Sequence, residues 1–179
     1  MSISKKIYTP QILIYCEGVS DKYFVNAIKV AYGCNRQFSV QGGQGGSAEE
    51  VLRKCINVLG EYEKYCVVDA TPKISDELRL KALENKITLI EISPYLECVI
   101  LNTLNNSDAY SAGYNKNKAK DILKKYKEAG EYLDLENLFI SEITITFLKK
   151  RRECLGEFLT LVDLFEKYKK SQQEINDRS

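Results

Sequence analysis

The sequence contains no histidine, and its six cysteines never form a Cys-x-x-Cys pair. The lack of histidine excludes every mechanism that needs an imidazole, and the two absences together exclude the usual zinc-site patterns. Cys16 and Cys66 lie inside predicted strands, where a free thiol behaves as a small core residue. Free thiols of this kind are typical of a reducing compartment, so we expect a cytoplasmic protein.

Long apolar runs and an excess of either charge are also missing. No apolar stretch approaches the roughly 20 residues that span a bilayer, and the first eight residues are too short and polar for a signal peptide. The 26 lysines and arginines nearly balance the 25 aspartates and glutamates. No global field therefore attracts nucleic acid or membrane, and we expect no membrane partner and only local contacts with any nucleic acid.

The chain does contain a mostly apolar run, residues 12 to 16, that ends abruptly at Glu17 and Gly18. This run predicts a buried parallel strand, and a helical pattern opens around Ser20. Glu17 then lies at the carboxyl edge of the sheet, where open α/β sheets build their sites, and Asp21 follows about one helical turn later. Two such carboxylates suit a hard divalent cation such as Mg²⁺.

Both acids also have structural explanations. Ser20 or Asp21 can cap the helix, since either side chain satisfies free backbone N–H groups at a helix start. The structural explanation is weaker for Glu17, because a carboxylate that ends an apolar strand loses solvation unless a cation or hydrogen-bond donors hold it.

The alternation of strands and helices continues along the chain. Strands are predicted over residues 37–41, 65–69 and 87–92, and helices over 21–31, 47–60, 75–85 and 93–104, which indicates an α/β fold. Asp69 ends the third strand much as Glu17 follows the first, so the two acids converge if these strands are neighbours. Glu97 is the only charge in an apolar helix, and is either a partly buried ligand or a solvent-facing spacer.

Apolar periodicity also predicts which helix faces meet the sheet. Leu59 belongs to the apolar stripe of the 47–60 helix, and Leu80 and Leu83 join Leu78 in the next one. Ser93 is expected to cap the fourth helix, with Pro94 at its first position.

A glycine-rich loop separates the second strand from its helix, with glycines at positions 42, 43, 45 and 46. It lacks the Gly-Lys-Ser/Thr ending of a phosphate loop and matches no dinucleotide fingerprint. Ser47 and Glu50 instead form a capping box. We therefore favour a flexible loop before a well-capped helix over an anion site, and a nucleotide site in a small-molecule enzyme remains the weaker alternative.

The second part of the chain reads as helical. Residues 105–115 are polar and suit a linker or mobile loop, helices are predicted over 116–129, 134–154 and 157–170, and the tail from 171 should fray. The β-branched segment 140–147 is a strand candidate, although helix is preferred. A lysine-rich helix over 116–127 is expected to present its charges to solvent, whereas four consecutive cations, Lys149, Lys150, Arg151 and Arg152, can meet phosphates.

Three landmarks in order carry a resemblance to a known family. They are Glu17-Gly18-x-Ser20-Asp21-x-Tyr23-Phe24, Val68-Asp69, and Pro94-x-x-Glu97. Over roughly residues 10 to 104 the chain resembles the toprim domain, and more narrowly the RloB-like family of phage-defence proteins and the PARIS-type toprim effectors. Glu17 matches the acid that opens the family's motif, Asp69 the first acid of its Asp-x-Asp, and Glu97 its helical glutamate.

The resemblance implies a fold, a cofactor and partners. It implies a toprim-like (Rossmann-like), mainly parallel four-stranded sheet flanked by helices over residues 1–104. The helical pattern of residues 105–179 predicts a helical extension packed on the same domain. It further implies bound Mg²⁺ or Mn²⁺, cleavage of phosphodiesters, and an AAA or ABC-type ATPase partner. Where the family has its second aspartate this chain has Thr71, a weaker, neutral ligand.

We therefore expect a metal-dependent nuclease of RNA or DNA that acts as an anti-phage defence effector. The alternative is a catalytically inactive module of the same fold that binds nucleic acid or an ATPase, and self-association is left open. The expected catalytic residues are Glu17, Asp69 and Glu97, the expected metal ligands Glu17, Asp21, Asp69 and Thr71, and the expected nucleic-acid contacts Lys149, Lys150, Arg151 and Arg152.

Overall fold

The computed structural model describes residues 11–34, 37–42, 44–93, 95–104, 116–128 and 135–176. A four-stranded, all-parallel sheet lies at its centre, which confirms the α/β prediction. Its strands are ordered β2-β1-β3-β4, and their bounds are β1 (Gln11–Cys16), β2 (Phe38–Gly42), β3 (Tyr62–Asp69) and β4 (Ile87–Ile92).

Helices follow each strand and continue to the end of the described chain. Within the described ranges they are α1 (Val19–Tyr32), α2 (Ala48–Asn57), α3 (Asp76–Glu84), α4 (Leu96–Thr103), α5 (Lys116–Glu128), α6 (Leu135–Glu142), α7 (Ile145–Lys150) and α8 (Leu159–Asn176). Two short 3₁₀ turns, Arg152–Cys154 and Gly156–Phe158, join α7 to α8. Among these residues, no helix is long and apolar enough to cross a membrane.

The position of β1 decides where the site lies. The chain leaves β1 toward β2 on one side, and the later strands add on its other side, so the strand order reverses between β1 and β3. A reversal of this kind opens a crevice at the carboxyl ends of the two central strands. Glu17 and Asp69 stand at this point.

Two apolar layers hold the sheet, one on each face. The larger layer packs α1, α4 and the C-terminal helices together, and Phe24 of α1 lies at its centre. Its ring centroid is 5.6 Å from that of Phe139 in α6 and 5.1 Å from that of Phe158. The smaller layer lies beneath α2 and α3. Buried residues from Leu135 to Phe165 thus share one continuous core with the sheet.

Three leucines predicted to face the sheet are instead exposed, Leu59 by 91%, Leu80 by 61% and Leu83 by 73%. Helix α2 already ends at Asn57, so Leu59 follows the helix and leaves its apolar stripe. In α3, Leu78 and Ala82 are buried one turn apart. Because successive residues of a helix rotate by about 100°, the face opposite these two carries Leu80.

Several predicted boundaries are also wrong. The long helix over 134–154 is two helices, because Ile143 and Thr144 break it and Thr144 caps α7 by accepting a hydrogen bond from the Phe147 N–H at 3.1 Å. The β-branched segment is therefore helical with a break, not a strand. Helix α8 continues through residue 176 rather than fraying from 171. Helix α4 begins at Leu96 with Tyr95 as N-cap, and Pro94, the 105–115 linker and residues 129–130 lie outside the described residues.

Candidate functional site

Glu17 and Asp69 meet at the carboxyl edge of the sheet, as predicted. Their strands are direct neighbours, with Cys16 opposite Val67. Glu17 Oε2 accepts a hydrogen bond from the backbone N–H of Asp69 at 3.1 Å. Two acids that are 52 residues apart in the chain are therefore in direct contact at one edge of the sheet, and we call the space between their carboxylates the pocket.

The two carboxylates share a cation, the ammonium group of Lys116 at the start of α5. Lys116 Nζ lies 3.3 Å from Glu17 Oε1 and donates a hydrogen bond to Asp69 Oδ2. It also lies 5.8 Å from the centroid of the Tyr95 ring, within cation–π range. Burial alone would lower the pKa of Lys116, but the hydrogen bond and charge of Asp69, with Glu17 and Glu97, raise it. The ammonium form is therefore the stable one here.

Asp69 has a structural role as well. Its Oδ1 accepts a hydrogen bond from the Leu96 N–H at 2.8 Å, at the first residue of α4. Tyr95, the N-cap residue, makes no capping hydrogen bond with its own side chain. Asp69 therefore supplies from β3 the acceptor that the helix start needs, and the positive end of the α4 dipole favours its charge.

Asp21 is buried at the start of α1 and caps it. Its Oδ2 accepts a hydrogen bond from the Gly18 N–H at 2.6 Å, so the capping role considered for Asp21 is confirmed. The N-cap residue is Gly18, and Ser20 lies inside the helix, so the capping role considered for Ser20 is wrong. A Cβ at position 18 would come 2.8 Å from Asp21 Oδ2, which is why this turn accommodates glycine.

Capping does not leave Asp21 with an ordinary carboxyl group. Burial first, and then the charge of Glu97, raise the pKa of Asp21 to about 8, with smaller contributions from Asp69 and Glu17. The hydrogen bond from Gly18 works in the opposite direction without cancelling them. A carboxyl group shifted this far is characteristic of a functional cluster of acids.

Glu97 completes the cluster from the first turn of α4. It is only 8% exposed, so the interpretation as a solvent-facing spacer is wrong. Its Oε1 lies 3.5 Å from Lys120 Nζ, whereas its buried Oε2 has no hydrogen-bond partner. Burial raises the pKa of Glu97, and nearby Lys116 and Lys120 only partly oppose this shift. A buried carboxylate oxygen without a partner is costly, and its presence here points to a ligand or proton that the pocket binds.

Thr71, the remaining predicted ligand, lies two residues beyond β3 and is exposed. The structure thus brings Glu17, Asp21, Asp69 and Glu97 together, whereas Thr71 is exposed to solvent. Its neutral hydroxyl adds no charge to the pocket, so any ion held there would depend on the four acids.

The glycine-rich loop closes over this edge of the sheet. The Gly45 N–H donates to the backbone oxygen of Glu17 at 3.1 Å. Gly42 has φ +103, and a Cβ there would lie 2.0 Å from the Cys16 oxygen, so only glycine fits this approach. The predicted capping box is confirmed, since Glu50 accepts from the Ser47 N–H at 2.8 Å and Ser47 Oγ accepts from the Glu50 N–H at 3.3 Å. Gly43 lies outside the described residues.

The basic cluster 149–152 lies near the opposite end of α4. Arg151 donates to the backbone oxygens of Thr103 at 3.0 Å and Asn102 at 3.2 Å. Because an α-helix rises about 1.5 Å per residue, this contact is roughly 10 Å along the axis from Leu96. Arg152 pairs with Asp163 on α8. Lys149 and Lys150 are exposed, so their predicted role toward phosphate stays a prediction.

Lys116 is the site residue that sequence reasoning missed. The lysine-rich pattern predicts a solvated face, yet only 26% of the Lys116 side chain is exposed and its ammonium group lies between two acids. Buried Ala119 and Leu123 show which face of α5 docks on the core. Lys116 and Lys120 are also four residues apart, so they lie side by side along the edge of that buried face. This spacing is the signal that could have found them.

The four acids are candidate ligands for a divalent cation. In the described part of the chain, no three acids, cysteines or histidines already stand arranged around one ion. However, Glu17 and Asp69 already bind a positive charge, the ammonium of Lys116, between them. Glu97 has a buried oxygen without a hydrogen-bond partner, which is available as a ligand. Since Mg²⁺ is often bound by one or two carboxylates together with water and substrate phosphates, these residues fit such an ion.

Comparison of the chain with protein-family models, curated proteins and solved structures found no match in any of the three.

Proposed function

We propose that this chain is a metal-dependent nuclease that hydrolyses phosphodiester bonds of RNA or DNA. One observation carries the proposal. The carboxylates of Glu17 and Asp69, from two neighbouring strands, bind one positively charged group, the ammonium of Lys116, at the topological switch point of a parallel sheet. Sites of α/β proteins lie at this position, and a hard divalent ion with oxygen ligands is the usual means of stabilising charge on a phosphate.

Each acid has a role that its surroundings support. Glu17 and Asp69 would hold Mg²⁺ or Mn²⁺, which supplies Lewis-acid stabilisation of the phosphate and activation of water when bound. Asp69 is fixed for this task by the Leu96 N–H. Glu97 Oε2 is free of hydrogen bonds and its carboxyl pKa is raised, so it can take a proton from the attacking water. Asp21 would complete the ligand set.

Nucleic acid as substrate rests on one further feature, a pair of exposed lysines. Lys149 and Lys150 are exposed cations, available to position a phosphate backbone. The role in anti-phage defence and the ATPase partner rest on the resemblance of the Glu17, Asp69 and Glu97 motifs to the RloB-like family.

The test is cleavage of labelled RNA and DNA by the full chain with Mg²⁺ or Mn²⁺. We expect Glu17→Gln to lower the cleavage rate by about a thousandfold or more, as loss of a group that supports the transition state does. The melting temperature should not fall, since glutamine keeps an oxygen for the Asp69 N–H. Glu61→Gln, which removes an exposed acid, serves as control. Metal-dependent cleavage that persists in Glu17→Gln contradicts the assignment.

A second candidate is a non-catalytic module of the same fold. It is favoured by the ammonium of Lys116, which already neutralises Glu17 and Asp69, and by the neutral, exposed Thr71. Calorimetry separates the two candidates. Binding of nucleic acid or an ATPase without any binding of Mg²⁺ or Mn²⁺ would favour the module.

A further inference from the structure

Lys116 lies where a cation has to lie if Glu17 and Asp69 are to hold one. Its Nζ lies between Glu17 Oε1, at 3.3 Å, and Asp69 Oδ2, to which it donates a hydrogen bond. These oxygens come from the ends of two different strands, and the Tyr95 ring flanks the ammonium. A divalent cation bound by the same two oxygens would lie against the ammonium, and two cations repel strongly at such a separation.

One ammonium group does not satisfy the pocket. Four acids, Glu17, Asp21, Asp69 and Glu97, face two lysines, and Glu97 Oε2 is left without any partner. The second lysine, Lys120, has a side chain that is 47% exposed, so its pairing with Glu97 is weak. A cation of higher charge would neutralise more of these carboxylates than the ammonium does.

The side chain of Lys116 can leave without moving its helix. Helix α5 is anchored by Ala119 and Leu123, which are fully or almost fully buried, and it packs on α4. Lys116 stands at the first residue of the helix, and its side chain is partly exposed. Rotation of this flexible chain toward solvent therefore costs no core packing.

We propose that Lys116 is a displaceable internal counter-ion, so that a divalent cation enters the site by exchange with its ammonium group. The inference rests on the proposed function, because it concerns how the same pocket is loaded. It adds a regulatory property: the apo protein blocks its own metal position, and the apparent metal affinity is the intrinsic affinity multiplied by the fraction of molecules in which Lys116 has left the site.

The experiment measures Mg²⁺ and Mn²⁺ binding to the full chain by calorimetry. Lys116→Met keeps the length of the side chain and removes the charge, and we expect it to bind Mn²⁺ about tenfold more tightly than the wild type, or better. Lys118→Met removes the same charge from an exposed position of the same helix, and should stay within about twofold.

Thermal unfolding provides a second readout that does not depend on activity. Without its counter-ion the acid pocket repels itself, so Lys116→Met should melt at a lower temperature than the wild type in chelator. Mn²⁺ should then raise its melting temperature by more than it raises that of the wild type. Should Lys116→Met fail to fold, Lys116→Arg retains the charge, and its fork-shaped head group pairs more strongly with carboxylates. That variant should bind Mn²⁺ more weakly than the wild type.

The outcomes separate the inference from the proposed function. Equal or weaker Mn²⁺ binding by Lys116→Met, with binding abolished by Glu17→Gln, overturns the exchange but leaves the metal site standing. Tighter Mn²⁺ binding by Lys116→Met supports the exchange. If in addition the wild type cleaves no nucleic acid, the proposed nuclease activity is overturned. Absence of metal binding in the wild type and in Lys116→Met overturns both.

Discussion

Charged side chains of opposite sign lie at the two ends of helix α4, and they differ in how completely they are paired. At its N-terminus, Glu97 keeps an unpartnered buried oxygen and crowds against other acids. Beyond its C-terminus, Arg151 donates hydrogen bonds to the backbone oxygens of Asn102 and Thr103, and Arg152 pairs with Asp163.

The comparison shows how to distinguish a site from a scaffold. Charged groups that stabilise a fold have hydrogen-bond or ion-pair partners within the protein, as the arginines beyond the C-terminus do. Charges that serve a ligand remain crowded or incompletely paired until it arrives, and the fold tolerates their cost because the rest of the core compensates. The acids at the N-terminal end are crowded and incompletely paired, as our proposal expects of a ligand site, so changes at the two ends should have different consequences.

The largest expected difference concerns catalysis. Asp69→Asn keeps an oxygen that can accept from the Leu96 N–H but removes the negative charge, so metal-dependent cleavage should fall by about a thousandfold. Arg152→Gln should leave the rate within about threefold, because its partner is Asp163 rather than the pocket. Cleavage kinetics of the two variants check this, and a strong loss in Arg152→Gln would mean that the basic end also serves the substrate.

Stability should respond in the opposite way. Arg151→Met leaves the oxygens of Thr103 and Asn102 without their charged donor, which should cost about 2 to 3 kcal/mol of unfolding free energy. Lys150→Met, an exposed neighbour, should change it by less than about 0.5 kcal/mol. Urea unfolding measures both. If Arg151→Met were as stable as the wild type, the hydrogen bonds at the C-terminal end of α4 would not contribute to stability.

The pocket should destabilise the protein as pH rises. The carboxyl pKa of Asp21 is about 8 in the folded chain and about 3.9 when unfolded. The native state therefore binds more protons between these values, and stability falls as pH rises from about 4 to 8. Asp21→Asn lacks this loss.

We expect Asp21→Asn to match the wild type near pH 4 and to exceed it by about 2 kcal/mol at pH 8, less than the full shift implies because neighbouring charges readjust. Urea unfolding at the two pH values measures the difference. If Asp21→Asn is less stable than the wild type at pH 8, the ionised Asp21 carboxylate is well paired in the folded protein. That result would contradict the interpretation of these acids as crowded and incompletely paired.

The smallest effect should come from the exposed lysines. Removing both charges with Lys149→Gln and Lys150→Gln should weaken nucleic-acid binding about threefold to tenfold and reduce the salt dependence by one to two counterions. The same double change at exposed Lys54 and Lys73 is the matched control. Fluorescence anisotropy across a salt series measures both pairs. Equal losses for the two pairs would deny the basic end any particular role.

Local signals in the sequence predicted much of this arrangement. The abrupt end of the apolar run at Glu17 and the acid that ends β3 correctly predicted two carboxylates at one edge. Both are local features, since a buried parallel strand is a short apolar run and its end is marked by the first residue that needs water or a partner. The capping box at Ser47 was equally local, and it was confirmed.

Where the prediction failed, competing local signals were too close in strength. Leu80 and Leu83 are as apolar as Leu78, and only docking on the sheet selected the face that carries Leu78 and Ala82. Thr144 interrupts a segment whose periodicity continues on both sides, and its hydroxyl cap decided the break. In each case the difference in packing energy belongs to the assembled core rather than to the segment.

Sequence by itself determined the parallel α/β sheet and the acids at its carboxyl edge, because apolar periodicity and strand ends depend on neighbours within a few residues. Only the tertiary structure decided that Lys116 would stand between Glu17 and Asp69 and that Glu97 would be left with a free oxygen. The physical reason is that a charge acquires its partner, its dielectric surroundings and its pKa from groups far away in the chain, and no local pattern records them.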